Sequence, residues 1–110
     1  MRARSADPAA IALSGADRYA TAASVAIAVF SGPRSVGVAS GETFADALSG
    51  GTFEAHRGGP LLLTTGTALP TPTSGYLSNG KSTIVNVTIF GGTSAVSIDV
   101  QTAVGSALGL

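Results

Sequence analysis

VGVASGETFADALSGGTFEAHRGGPLLL, residues 36–63, carries an apolar run, a polar turn, an amphipathic run, a double glycine and a second apolar run. Val36, Val38 and Ala39 read as a strand, and Gly41 with Glu42 breaks it. Thr43, followed three residues later by Asp46, has the spacing of a helix-starting capping box, which predicts a helix from Thr43 to about Arg57. Gly58 and Gly59 supply a left-handed stop, and Pro60 cannot continue a helix. Leu61, Leu62 and Leu63 then start a strand with no polar face. A strand apolar on both sides must be covered on both sides, which is the mark of a parallel sheet between helices.

The rest of the chain follows the same alternation. Residues 1–10 are expected to be a flexible terminus, and residues 11–110 one domain. Ile11 to Leu13 make a short first strand. Ser14 to Asp17 repeats the capping spacing and opens a helix running to Phe30, its apolar face formed by Tyr19, Ala22, Ala23, Ile27 and Phe30. Ser35 to Ala39 is the second strand. After Leu63, residues 64–72 read as a loop, 73–77 as a short helix and 78–80 as a turn. Thr83 to Phe90 is a fourth strand, rich in β-branched residues. Gly91, Gly92, Thr93 and Ser94 form a tight turn, and Ser97 caps a last helix from Ile98 to about Leu108, with Asp99 in its first turn. The expected fold is α/β: a three-layer, Rossmann-like or flavodoxin-like parallel sheet of about four strands, with helices on both faces. Strand order cannot be read from the sequence.

Composition narrows the function. Of 110 residues, 45% are apolar and only 5% aromatic, so the core must be close-packed from small aliphatic side chains. Six basic and six acidic residues give zero net charge, and no bulk field attracts nucleic acid. Cysteine is absent, which removes disulfides and thiolate metal sites. No apolar run approaches the ~20 residues that span a membrane, and residues 1–10 hold no secretory h-region.

In a parallel sheet, ligands sit outside the carboxyl ends of the strands. Those ends should carry residues 14–18, 40–46, 64–67 and 91–94. Asp17, Glu42 and Asp46 would share that edge and could hold a divalent cation for phosphoester or glycan hydrolysis. Acids in a first helical turn more often serve the helix dipole, and no D-x-D pair accompanies them. Gly91 to Ser94 lacks the lysine of a phosphate-binding loop. His56 stands near a helix C-terminus without a serine or cysteine partner, where it reads as a dipole cation. Nothing assembles into a nucleophile, base and acid, so the residues describe no enzyme and imply no cofactor. Arg18 differs from these, because a first-turn arginine opposes the dipole and needs a partner: Glu42, Asp46 or an anionic ligand. Tyr19 beside it reads as a packing residue.

SGADRYATAAS at 14–24, VASGETFADALSGG at 38–51, GPLLLTT at 59–65 and IFGGTSAVS at 89–97 resemble, in order and spacing, the cell wall-binding repeat 2 family of bacterial surface proteins. Gly15, Asp17, Arg18, Tyr19 and Thr21 fall on its G-x-D-R-Y-x-T pattern. Gly41, Phe44, Asp46, Ala47 and Leu48 fall on G-x-x-F/Y-x-D-A-L, Leu61 to Leu63 on its Ile-Leu-Leu anchoring run, and Gly91 with Gly92 on its double glycine. The resemblance implies a non-catalytic, extracellular module that attaches to the cell wall through an anionic secondary polymer. It also implies three copies arranged about a pseudo-threefold axis. This chain holds one repeat, so either it is a piece of a longer protein and assembles with further copies of the module or three identical chains assemble; a homotrimer is the favoured expectation, with no nucleic-acid partner and no membrane insertion. A purely structural oligomerisation module is the remaining alternative. Under the binding reading Arg18 contacts the anion, helped by Asp17, Tyr19, Glu42, Thr43, Asp46, Thr93 and Ser94.

Overall fold

A computed structural model describes residues 17–110. Its elements are α1 (Asp17–Val29), β1 (Ser35–Ser40), α2 (Phe44–Arg57), β2 (Leu61–Thr64), α3 (Thr71–Asn79), β3 (Asn86–Phe90) and α4 (Ile98–Ala107). The fold is α/β, with three parallel strands in the order β2-β1-β3 among the described residues. The expected first strand, Ile11 to Leu13, lies outside the described residues, as do Ser14 and the 1–10 segment.

β1 is the central strand, and all six of its residues are buried. Alternation divides them between two faces. Val36 and Val38 join Leu62, Ala26 of α1, Leu77 of α3 and Val104 of α4 in one apolar cluster. The opposite face meets α2, which packs across all three strands. There the helix comes unusually close: a Cβ on Gly37 would lie 2.8 Å from Phe90 Cε2, and one on Gly50 of α2 would lie 2.8 Å from Phe90 Cδ2. The two missing side chains make the slot that Phe90 and Leu61 fill.

Glu54 also faces this layer. It is fully buried, its Oε1 accepts a hydrogen bond from Ser35 Oγ at 2.9 Å, and its Oε2 has no partner. Its one signal in the sequence is its place four residues after Gly50, on the same buried stripe of α2.

Helix ends follow local chemistry. Gly58 caps α2 in the left-handed region at φ 75°, and its N–H and that of Gly59 bond back to Ala55 O and Glu54 O. Ser97 Oγ accepts from Val100 N at the start of α4, as expected. Thr43 holds the N-cap position of α2 but makes no side-chain cap bond, so the expected capping box is not formed.

Three further expectations are corrected. Ile27 is 70% exposed, and the buried stripe of α1 is Ala23 and Ala26, because small residues let the helix approach β2 and α3 closely. α3 is longer than the expected 73–77 helix, since Pro72 sits in its first turn where no N–H is needed and Ser78 and Asn79 remain helical. β3 begins at Asn86 rather than Thr83. Val85 N and Asn86 N both donate to Arg34 O, so the chain turns at that point before the ladder begins, leaving Val85 70% exposed.

Candidate functional site

Parallel connections bring the start of every helix to the carboxyl edge of the sheet, and the predicted residues gather there in two groups. The first is built on Gly41, directly after β1. Arg18, in the first turn of α1, donates from its guanidinium to Gly41 O, and its Cζ lies 6.0 Å from the Tyr19 ring centroid. A Cβ on Gly41 would stand 2.9 Å from both Arg18 Cδ and Tyr19 Cε1. The glycine is therefore required so that α1 can lay these two side chains over the end of β1. Gly41 N in turn donates to Thr64 O at 2.9 Å, which joins the ends of β1 and β2.

The second group joins β3 to α2. Gly91 has φ 95°, and a Cβ there would lie 2.7 Å from Asp46 Oδ2 and 3.0 Å from Ala95 Cβ. Asp46 thus faces the turn after β3 instead of completing a cap with Thr43. Ala95 O stands 3.1 Å from the Cβ position of Gly66, with Glu42 Oε1 3.8 Å from the same point, and Gly66 O accepts from Ser97 N at 3.0 Å. Glu42, Gly66, Ala95, Gly91 and Asp46 therefore form a continuous seam. Thr93 and Ser94 are exposed on the turn beyond it, and Thr43 is half-buried at the head of α2. Asp17 is the first residue of α1, and its side chain lies outside the description.

The seam has little of the character of a metal centre. Among the described residues no three His, Cys, Asp or Glu side chains converge. Away from the edge, burial raises the Tyr76 phenol above its ordinary value where it packs against the apolar core from α3. The leucine run is a structural strand. Leu62 is fully buried in the main cluster, Leu61 and Leu63 turn toward α2, and Leu63 O accepts from Thr73 Oγ1 at 2.6 Å.

Fold and edge together define an α/β domain with a group of polar residues gathered outside the carboxyl ends of its strands. A family model, Cell wall binding domain 2 (CWB2), matches residues 12–101, and the chain belongs to that family. Membership makes cell wall binding its general role and associates it with the cell wall. No curated protein and no solved structure gives a significant match. No helix among the described residues is long and apolar enough to cross a membrane.

Proposed function

We propose that the domain attaches non-covalently to the cell wall from outside the cell, by binding an anionic secondary wall polymer without cleaving it. Membership of the CWB2 family over residues 12–101 is the observation that carries this reading. Completion of the sheet by Ile11 to Leu13, giving four strands in a Rossmann-like layering, belongs to the same proposal.

At the carboxyl edge Arg18 is the contact for an anionic group, with Tyr19 as an adjacent ring and Thr43, Thr93 and Ser94 as hydroxyl partners. Asp17, Glu42 and Asp46 would accept hydrogen bonds from polymer hydroxyls. Arg18→Ala is expected to weaken sedimentation with purified walls by about tenfold, as loss of one charge-assisted contact should. The thermal unfolding midpoint should stay within a few degrees. Unchanged wall binding, or a variant that no longer folds, would count against the assignment.

Self-association is the second part of the proposal. Val25, Ile27, Val29, Val85 and Leu110 are large apolar side chains at least half exposed, which is costly for a lone module. Three copies would cover such faces and multiply weak contacts into avidity. Light scattering should return a trimer mass; a monomer mass at every concentration removes the homotrimer.

A further inference from the structure

Among the described residues, acidic and basic side chains are separated to opposite ends of the sheet. At the carboxyl edge stand Glu42, Asp46 and Asp99, the last in the first turn of α4, with Asp17 at the start of α1. Arg18 is the one basic side chain among the described residues at that edge. Every other described basic side chain lies at the opposite end, where the strands begin: Arg34 just before β1, Arg57 and His56 in the last turn of α2, and Lys81 two residues past α3. All four are exposed. The acid at that end is Glu54, which is buried beneath the surface and bonded to Ser35.

Backbone contacts hold these cations together. Arg34 is the centre, because Val85 N and Asn86 N donate to its carbonyl at 2.9 and 3.1 Å, and Thr83 Oγ1 donates to Pro33 O at 3.0 Å. Those bonds bring the segment headed by Lys81 to one side of Arg34. On the other side, Gly59 is pressed against Ser35 O, so the end of α2 with Arg57 lies beside the start of β1. Arg57 is further fixed by the Phe53 ring, 5.3 Å from its Cζ. Helix-dipole complementation accounts for His56 and Arg57, which sit in a last turn. It extends to Lys81, directly after the Gly80 cap of α3, but does not account for Arg34, which stands five residues past α1.

We infer that this amino-end face, centred on Arg34, Arg57 and Lys81, is a second polymer-contacting surface and receives anionic groups repeating along one chain of the wall polymer. The inference rests on the wall-polymer reading for its ligand, and charge complementarity carries it. An anion approaching the carboxyl edge meets one arginine among several carboxylates, whereas at the amino end it meets basic side chains with no exposed acidic side chain among the described residues. Arginine and lysine on separate segments suit successive phosphate or carboxylate groups better than a single enclosed ion.

The test compares the wild-type chain with the double variant R34E/K81E, the charge-conserving R34K/K81R, and Arg18→Ala. Each is bound to purified walls and to inorganic polyphosphate, with poly-glutamate as the carboxylate probe, and circular dichroism confirms folding. R34E/K81E should bind walls about thirtyfold more weakly, by the rule that each basic residue near an anionic surface contributes appreciably, and should lose more than Arg18→Ala does. R34K/K81R should keep its binding, and the wild-type affinity should fall as salt rises. Wild-type binding by R34E/K81E to walls and to both soluble polyanions overturns the inference, as does a wild-type chain that binds no polyanion. Loss of self-association with polymer binding intact also overturns it, and assigns the basic end to the acidic edge of another copy. A wild-type chain that binds polyphosphate through this face but ignores walls leaves the anion surface standing and removes the wall-polymer function.

Discussion

Gly59→Ala is expected to destabilise the domain by about 3 kcal/mol or more, at the upper end of overpacking effects. The new Cβ would lie 2.0 Å from Ser35 O and 2.9 Å from Glu54 Oε1, inside a fully enclosed junction. Little there can move. Gly59 N is bonded to Glu54 O at 2.9 Å, and Pro60 O accepts from Gly37 N at 3.0 Å, so the loop is pinned to both α2 and β1. Relief would require separating β1 from the end of α2, and with it the pairing of β1 and β2. Gly58→Ala, one residue earlier, is the control. Nothing lies within 4 Å of its Cβ position, and its φ of 75° predicts only the left-handed strain of about 1 to 2 kcal/mol. Urea denaturation of the two variants measures the difference. A Gly59→Ala loss no larger than that of Gly58→Ala would show that the junction is looser than described.

Leu62→Ala should cost about 3 to 4 kcal/mol, as for a fully buried leucine whose surroundings collapse only in part. Leu62 has no exposed surface, and its neighbours Val36, Val38, Leu77 and Val104 come from three elements fixed by sheet pairing and helix packing. A chain with 5% aromatics has few large side chains to swing into the void. Against a typical total stability of about 5 to 15 kcal/mol, this loss populates the unfolded state. Its consequence for anchoring is specific: wall binding by Leu62→Ala should fall in step with the folded fraction. The variant losing binding while fully folded would instead make the leucine run a direct contact.

These two positions also show how far the sequence could be read. The strand, helix and strand of residues 36–63 were legible because each boundary has a local cause: Gly58 needs its left-handed φ, Pro60 lacks a donor, and the leucines have no polar face. Ser97 was legible for the same reason. Strand order was not, because it depends on Val36 meeting Val87 and on Val38 meeting both Leu62 and Ile89, across separations that no local pattern encodes.

On α1 apolar character alone does not decide burial: Ala23 of the expected face is buried, but close approach also selects Ala26 and leaves Ile27 outside. Thr43 and Asp46 had the right spacing for a cap, yet the turn at Gly91 holds the carboxylate position. At the candidate site, motif spacing identified Arg18 and Gly41 as separate features, and only the fold joins them through one hydrogen bond. A net charge says nothing of placement: among the described residues, topology sends most acidic side chains to one end of the sheet and most basic ones to the other.

The most direct measurement of the central claim is sedimentation of the intact chain with purified cell walls before and after acid extraction of their secondary polymers, with soluble products assayed throughout. Wall attachment through an anionic polymer predicts saturable binding to native walls, loss of most of it after extraction, and no release of wall fragments. Equal binding to extracted walls, or release of fragments by the chain, would contradict it.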